Sequence, residues 1–228
     1  MKYEKFLAYE RRAYSTVYSE REGSFHDDII RQLASTFLPQ LTKANHAMII
    51  DIGSGPGIFL ESARALGYQN LVGVTLSDED VTACQQRGFQ TIKSSMSDLD
   101  LADESVDVIW CRHALEHSPY PLFTLYEFDR VLRPQGRMLI EVPAPDNARA
   151  FIHEYNPNHY SIMGLRMWDG LFEKSGFEID QYFNSTIDVD HEGATLKEMS
   201  IVFLIRKSQE SIESKFSRKY GIHIQNHR

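Results

Sequence analysis

The sequence predicts an α/β fold: a doubly wound, mostly parallel sheet of seven strands with helices on both faces. Two observations carry this prediction. A short apolar strand at 48–52 runs into the glycine-rich turn Gly53-Ser54-Gly55-Pro56-Gly57, and a helix follows. From residue 46 to residue 142, apolar runs then alternate with helical patterns, which favours parallel strands joined by right-handed crossovers.

The glycine-rich turn predicts a site for a nucleotide-like ligand. Glycine lets the backbone turn tightly and lets a ligand approach it, and the following helix offers free N–H groups at its positive end. A dinucleotide fingerprint needs a third glycine, but Ile58 or Leu60 stands there in the two registers. No phosphate-loop lysine follows either, so both of these ligand classes are disfavoured.

The remaining elements follow in order. A second strand covers 71–77, and a helix over 78–87 opens with acidic residues, as helix N-termini favour. The third strand ends at Lys93, a fourth covers 105–110, and a helix, a turn and a fifth strand share 126–140. An irregular insertion at 143–164 then precedes a helix at 165–174 and two apolar runs, 177–184 and 199–206. Ligands of such sheets bind beyond the carboxyl ends of the strands.

Two strings carry a family resemblance. D-x-G-x-G-x-G at 51–57 and R-V-L-R-P-Q-G at 130–136 resemble motifs of the class I S-adenosylmethionine-dependent methyltransferases, with Gln135 in place of a glycine. The likeness, to the type 11-like small-molecule enzymes, covers 46–145 and continues more loosely to 207. It implies the strand order 3-2-1-4-5-7-6, with the last strand inserted antiparallel between the fifth and sixth.

The resemblance also implies S-adenosylmethionine as the cofactor. Asp51 would face its ammonium group, although a carboxylate there also serves as a polar cap of the strand. Thr75 stands where most members carry a ribose-binding acid, and Gly73-Val74-Thr75-Leu76-Ser77 instead resembles the cyclopropane fatty acid synthase branch, which implies Asp80 as a ribose ligand or a helix cap. The implied cofactor-binding residues are Asp51, Gly53, Ser54, Gly55, Gly57, Thr75, Leu76, Asp80, Ser95, Met96, Arg112 and His113.

Three residues are the candidate catalytic groups. An oxygen or nitrogen nucleophile must lose a proton, so a neighbouring base is expected. His113 is the choice after the fourth strand, with Glu116 and His117 closing the loop or touching the cofactor. In the insertion, the polar aromatic run at 153–160 is either a surface loop or part of the site, and His159 and Tyr160 are chosen because they precede the next helix.

No metal is predicted. Asp146-Asn147 resembles the Asp-Asn pair that follows the fifth strand in catechol-type methyltransferases. The further carboxylate ligand that such sites need has no counterpart in the sequence.

Length and charge limit the partners. The 228 residues suit one domain at 46–207 with appendages: an aromatic, helical segment at 1–45 that packs on the core or covers the pocket as a lid, and a basic tail at 208–228. A net charge of −8 disfavours nucleic acid and favours a small-molecule substrate. The absence of a long apolar run and the two cysteines, which form no disulfide framework, predict a cytoplasmic protein without a membrane segment. A homodimer is left open.

The predicted function is therefore transfer of a methyl group from S-adenosylmethionine to an O or N atom of a polar small molecule, such as a sugar or a secondary metabolite. Two alternatives remain. One is a lipid-modifying enzyme of the cyclopropane synthase kind, and the other is a non-catalytic cofactor-binding partner subunit.

Overall fold

The computed structural model describes residues 3–13, 25–145, 158–191 and 194–209. Seven strands form one sheet in the order β3-β2-β1-β4-β5-β7-β6. The strands are β1 (Met48–Ile52), β2 (Asn70–Thr75), β3 (Gln90–Lys93), β4 (Val106–Arg112), β5 (Leu132–Pro143), β6 (Phe177–His191) and β7 (Ala194–Lys207). The helices are α1 (Tyr3–Ala13), α2 (Phe25–Leu41), α3 (Ile58–Ala65), α4 (Asp78–Gln86), α5 (Pro121–Val131) and α6 (Leu165–Lys174), with a 3-10 turn at Leu115–His117.

The strand pairing confirms the predicted topology. β1 pairs in parallel with β2 and β4, β2 with β3, and β4 with β5. β7 lies between β5 and β6 and is antiparallel to both, as the resemblance implied.

The two faces of the sheet are covered by separate apolar clusters. Ile49 of β1 packs with Leu38 of α2 and Phe59 of α3, whereas Ile50 belongs to the cluster that includes Phe128 of α5 and Phe172 of α6. Successive strand residues point to opposite faces. Because both faces are buried, the central strands are apolar throughout rather than alternating.

Helix α4 begins where the sequence predicts. Ser77 is its N-cap, and its hydroxyl oxygen accepts a hydrogen bond from the Asp80 backbone N–H at 3.2 Å. Asp78, Glu79 and Asp80 fill the first turn, where negative charge is favourable. Asp80 is held in this way at the carboxyl end of β2.

The predicted turn between α5 and the fifth strand is a bulge within β5. The strand begins at Leu132, directly after α5, and Gln135 has a φ of +67°. Val106 pairs with Leu132, but Val108 pairs with Arg137, so β5 gains residues that β4 does not match. The proline-containing string bends the strand without ending it.

Strands β6 and β7 are longer than their apolar runs. β5 pairs with β7 only as far as Pro143 with Ser200, whereas the β6–β7 ladder continues from Thr186 with Met199 to His191 with Ala194. We call this extension, residues 186–191 and 194–199, the overhang. It projects past the carboxyl end of β5, and sequence reasoning missed it because its residues form no continuous apolar run.

The N-terminal segment contributes to the core. Leu33, Ala34, Leu38 and Leu41 of α2 are buried against one face of the sheet. The Tyr9 ring of α1 lies 6.0 Å from that of Tyr120. Core packing therefore holds for α2, and the lid role of this segment stays a prediction. Tyr14, Tyr18 and nearly all of the basic tail lie outside the described residues.

None of the helices in the described parts of the chain combines the length and the apolarity needed to cross a bilayer.

Candidate active site

A cavity lies at the carboxyl ends of β1, β2 and β4, where the fold predicts a ligand site. The loops that follow these strands and β3 line its inner part. Ala13 of α1, Ile30 of α2, Asn158 and Tyr160 line its outer part. The cavity therefore joins the glycine-rich turn to the end of the insertion.

The glycine-rich turn requires its glycines. Gly53 has a φ of +72°, and a Cβ there would lie 2.9 Å from that of Ala114. Gly55 has a φ of +49°, and a Cβ added to it would meet no atom within 4 Å, so the chain leaves open space beside it. Gly53, Ser54 and Gly55 line the cavity, whereas Gly57 is absent from its wall and packs on Cys84. Gly57 thus shapes the turn from behind, which corrects its predicted place at the ligand.

Asp51 is a buried carboxylate in the cavity wall. It is 4% exposed and lies near the end of β1, paired with Trp110 of β4. Burial raises the pKa of its carboxyl well above the usual range, and the positive charge of Arg112 opposes this only in part. A cationic group of a ligand beside Asp51 would favour the ionised form.

Thr75 and Asp80 meet at the end of β2. The Thr75 hydroxyl donates a hydrogen bond to Oδ2 of Asp80 at 3.3 Å, and its oxygen accepts one from the Ser77 N–H at 3.1 Å. Both residues are buried and line the cavity, as does Leu76. The structure therefore brings together the pair that the sequence suggested for a ribose.

At the far end of the cavity, Ser94 stands in the wall where Ser95 was predicted. Ser94 and Met96 line the cavity, and the buried Ser94 hydroxyl has no hydrogen-bond partner among the described residues. The Ser95 hydroxyl instead accepts a hydrogen bond from the Ser97 N–H. Because β3 ends at Lys93, Ser94 directly follows the strand, and the role of Ser95 at the ligand stays a prediction.

Arg112 and His113 form a charged cluster with acids from other elements. Arg112 Nε lies 2.6 Å from Oε2 of Glu141. His113 Nδ1 lies 3.4 Å from Oε1 of Glu116, and its Nε2 lies 3.5 Å from Oε1 of Glu141 and 3.2 Å from the Ser200 hydroxyl. Arg112 and His113 both line the cavity.

Two features of His113 follow from this cluster. Burial and the charge of Arg112 lower its pKa, but the contacts with Glu116 and Glu141 outweigh them and raise it to about 9. The residue also has a φ of +48°, which is uncommon outside glycine. Its backbone N–H donates a hydrogen bond to the Glu141 carbonyl oxygen at 2.9 Å and fixes this conformation.

The end of the insertion is tied to the 3-10 turn. His117 Nδ1 lies 2.8 Å from the Asn158 carbonyl oxygen, and the backbone N–H groups of Tyr160 and Ser161 donate to the Glu116 carbonyl oxygen at 2.8 and 3.1 Å. The Tyr160 hydroxyl donates to the Ala13 carbonyl oxygen at 2.9 Å. Tyr160 lines the cavity. His159 does not, and its ring lies 4.7 Å from that of His117.

Comparison with known proteins supports the fold and the family. Residues 50–140 match the family model described as a methyltransferase domain. YcgJ of Bacillus subtilis, an uncharacterized methyltransferase, is 27% identical over 166 residues, which span 65% of this chain and 64% of YcgJ. Its crystal structure covers 78% of this chain and 99% of the solved chain, with a TM-score of 0.64 and 19% identity. Residues 50–140 are thus similar to a methyltransferase domain.

Two further proteins are similar to this chain. A ubiquinone biosynthesis O-methyltransferase of Hydrogenovibrio crunogenus is 26% identical over 121 residues, or 50% of this chain and 49% of that protein. The structure of a SAM-dependent methyltransferase from Archaeoglobus fulgidus has a TM-score of 0.63 and 16% identity, and covers 87% of this chain and 99% of that one. The chain thus spans less than two thirds of the length of either curated relative.

Several residues at the candidate site were missed by sequence reasoning. Asp27 and Ile30 reach the cavity from α2, while Glu141 and Ser200 surround His113 from neighbouring strands. Asp27 could have been found from the sequence, because it is an acid in the first turn of an amphipathic helix. The predicted candidates His153, Glu154, Tyr155, Asp146 and Asn147 lie outside the described residues.

Proposed function

We propose that this chain transfers a methyl group from S-adenosylmethionine to an O or N atom of a polar small molecule. The observation that supports this function is that one cavity is lined both by the glycine-rich turn and by the end of the insertion. Its inner part is built from the glycine-rich turn and the ends of β2 and β3, and its outer part from polar side chains of His113, His117, Asn158 and Tyr160.

The residues of the inner part fit the proposed cofactor. Asp51 is a buried acid, and the cationic methionine end beside it would oppose the effect of burial, which raises the pKa of its carboxyl, and so favour the ionised form. The open space at Gly55 leaves room for a ligand close to the backbone. Thr75 and Asp80 offer oxygen atoms for ribose hydroxyls, and the buried Ser94 hydroxyl beside Met96 suits the polar edge and the face of adenine.

When bound, S-adenosylmethionine supplies an electrophilic methyl group on a sulfonium. The chain must then hold the acceptor atom in line and exclude water. His113 contacts two carboxylates through its two ring nitrogens, an arrangement that favours its imidazolium form, so we assign it to holding these acids and a positive charge at the cavity wall rather than to the predicted role of base. Tyr160 and Asn158 would bind polar groups of the acceptor from the opposite wall.

The outer part of the cavity favours a polar acceptor over an acyl chain. Four polar side chains line it, whereas a cyclopropane synthase-like enzyme would need an apolar tunnel. The ubiquinone-pathway relative is by name an O-methyltransferase, which accords with an oxygen acceptor. A silent binding module remains as the competing hypothesis, and the transfer of label separates it from an enzyme.

The cofactor test compares two glycines. Gly55→Ala and Gly67→Ala both place a Cβ on a residue with positive φ, at +49° and +96°, but only Gly55 lines the cavity. We expect calorimetry to show S-adenosylmethionine binding to the unaltered chain, a clear loss of affinity in Gly55→Ala, and retained affinity in Gly67→Ala. Equal affinity in all three proteins would contradict the proposed cofactor site.

The reaction test uses methyl-labelled S-adenosylmethionine and fractionated metabolite extracts. Label transferred to a polar small molecule, and lost in His113→Ala with cofactor affinity retained, is the expected result. Cofactor binding without transfer to any fraction would favour the silent module. Transfer only to lipid fractions would favour the lipid-modifying alternative.

A further inference from the structure

We propose that Glu116, His117 and His159 form a binding site for one divalent transition-metal ion. One carboxylate oxygen and one ring nitrogen from each histidine lie within 4.8 Å of one another. Two imidazoles and a carboxylate are a donor set that suits zinc and its neighbours in the first transition row. Metal–ligand bonds of about 2.0–2.2 Å require ligand atoms about 3–4 Å apart, so small side-chain rotations would complete the set.

Glu116 supplies the strongest argument for a cation. Its side chain is fully buried, and neither carboxylate oxygen has a hydrogen-bond partner of good geometry among the described residues. The contact with His113 Nδ1 is long, at 3.4 Å from Oε1. Both oxygens therefore keep acceptor capacity that a metal ion would use.

His117 is oriented for coordination. Its Nδ1 donates to the Asn158 carbonyl oxygen at 2.8 Å, which fixes the tautomer and leaves Nε2 as the nitrogen that carries a lone pair. Backbone carbonyl groups commonly orient metal-binding histidines in this way. The same residue lines the cavity, so the site lies at its wall.

The backbone holds the three residues in place before any ion binds. Glu116 and His117 are consecutive residues of the 3-10 turn, and His159 lies between residues that are bonded to that turn. The Tyr160 and Ser161 N–H groups donate to the Glu116 carbonyl oxygen. Such preorganisation is what a metal site needs, because the ligands need not be gathered by the ion.

The position of the site indicates what the ion would do. With three protein ligands, a four-coordinate ion keeps one position open, and His117, the one of the three ligands that lines the cavity, puts the ion beside it. The ion would there bind an oxygen of the acceptor. This role rests on the proposed function, whereas the metal site itself does not.

The test uses the full chain without a polyhistidine tag, stripped with a chelator. Calorimetric titration with zinc chloride is expected to show one equivalent bound per chain, and cobalt chloride is expected to give visible absorption bands of a nitrogen and oxygen ligand set. His159→Ala should weaken zinc binding at least tenfold. His46→Ala, which removes an exposed histidine far from the site in sequence, should bind zinc like the unaltered chain.

A second variant guards against misfolding. Glu116→Gln keeps the shape of the buried side chain, and circular dichroism together with S-adenosylmethionine titration shows whether each variant is folded. Folded variants that lose zinc but keep cofactor affinity would support the site. Absence of zinc binding to the unaltered chain, or equal zinc binding to His159→Ala, would overturn the metal site. This outcome does not depend on whether the chain binds S-adenosylmethionine.

Discussion

The hydroxyl group of Thr75 donates a hydrogen bond to the carboxylate of Asp80 across the loop that ends β2. The two residues are five positions apart, yet they present their oxygen atoms side by side in the cavity wall. Under the proposed function, this hydroxyl and this acid would together bind the ribose of the cofactor.

Asp80→Asn should weaken S-adenosylmethionine binding. The loss of a charge-assisted hydrogen bond costs about 1.5–3 kcal/mol, or roughly a 10- to 150-fold rise in Kd. Asp78→Asn is the matched control, since Asp78 lies in the same first turn with its side chain 83% exposed and pairs with Lys93. Calorimetry should separate the two variants; a similar Kd for both would remove Asp80 from the ribose site.

Ser94→Ala and Ser95→Ala test which serine faces the ligand. We expect Ser94→Ala to raise the Kd for S-adenosylmethionine by about two- to tenfold, as the loss of a neutral hydrogen bond does. Ser95→Ala should leave the Kd unchanged because its hydroxyl serves the Ser97 N–H. The reverse order of effects would restore the assignment made from the sequence.

Glu141 should make the fold sensitive to acid. Burial raises the pKa of this carboxyl, but Arg112 and His113 outweigh burial and lower it from 4.5 to about 2. A carboxyl with a lowered pKa in the folded state stabilises the protein above its unfolded pKa, and this contribution fades as the pH falls from about 4.5 to 2. Breaking a buried ion pair costs about 3–5 kcal/mol, so Glu141→Gln should be strongly destabilised at pH 7.

The measurement is urea unfolding from pH 7 to pH 3. The difference in free energy of unfolding between the unaltered chain and Glu141→Gln should shrink as the pH falls. Glu178→Gln removes one partner of the exposed pair with Arg206 and should change the free energy of unfolding by only about 0–1 kcal/mol. A pH-independent difference for Glu141→Gln would show that its effect is steric and not electrostatic.

Much of the fold follows from local patterns. The strand-glycine-helix junction at 48–60 and the acidic start of α4 could be predicted from the sequence, because the turn chemistry and helix capping that produce them act within a few residues. The pairing of Thr75 with Asp80 was predicted from the resemblance of residues 73–77 to the cyclopropane fatty acid synthase branch. The antiparallel insertion of β7 followed from the family resemblance alone.

The charged cluster around His113 could not be predicted from the sequence. Glu141 and Ser200 reach it from β5 and β7, and their meeting depends on the register of two strands far apart in the chain. The place of Ser94 rather than Ser95 in the cavity wall has a smaller cause: β3 ends at Lys93 as predicted, and the turn that follows decides which serine faces the cavity. In both cases geometry beyond the local pattern decides which atom faces the ligand.

The overhang of β6 and β7 gives the chain a part that can be exchanged. Apart from the hydrogen bond from the Ala144 N–H to the Met199 carbonyl oxygen, the strand pairing of its described residues lies within the hairpin, beside the rim where acceptors would enter under the proposed function. Grafting the corresponding hairpin from a relative should therefore redirect which molecules are methylated while the donor half of the protein works as before.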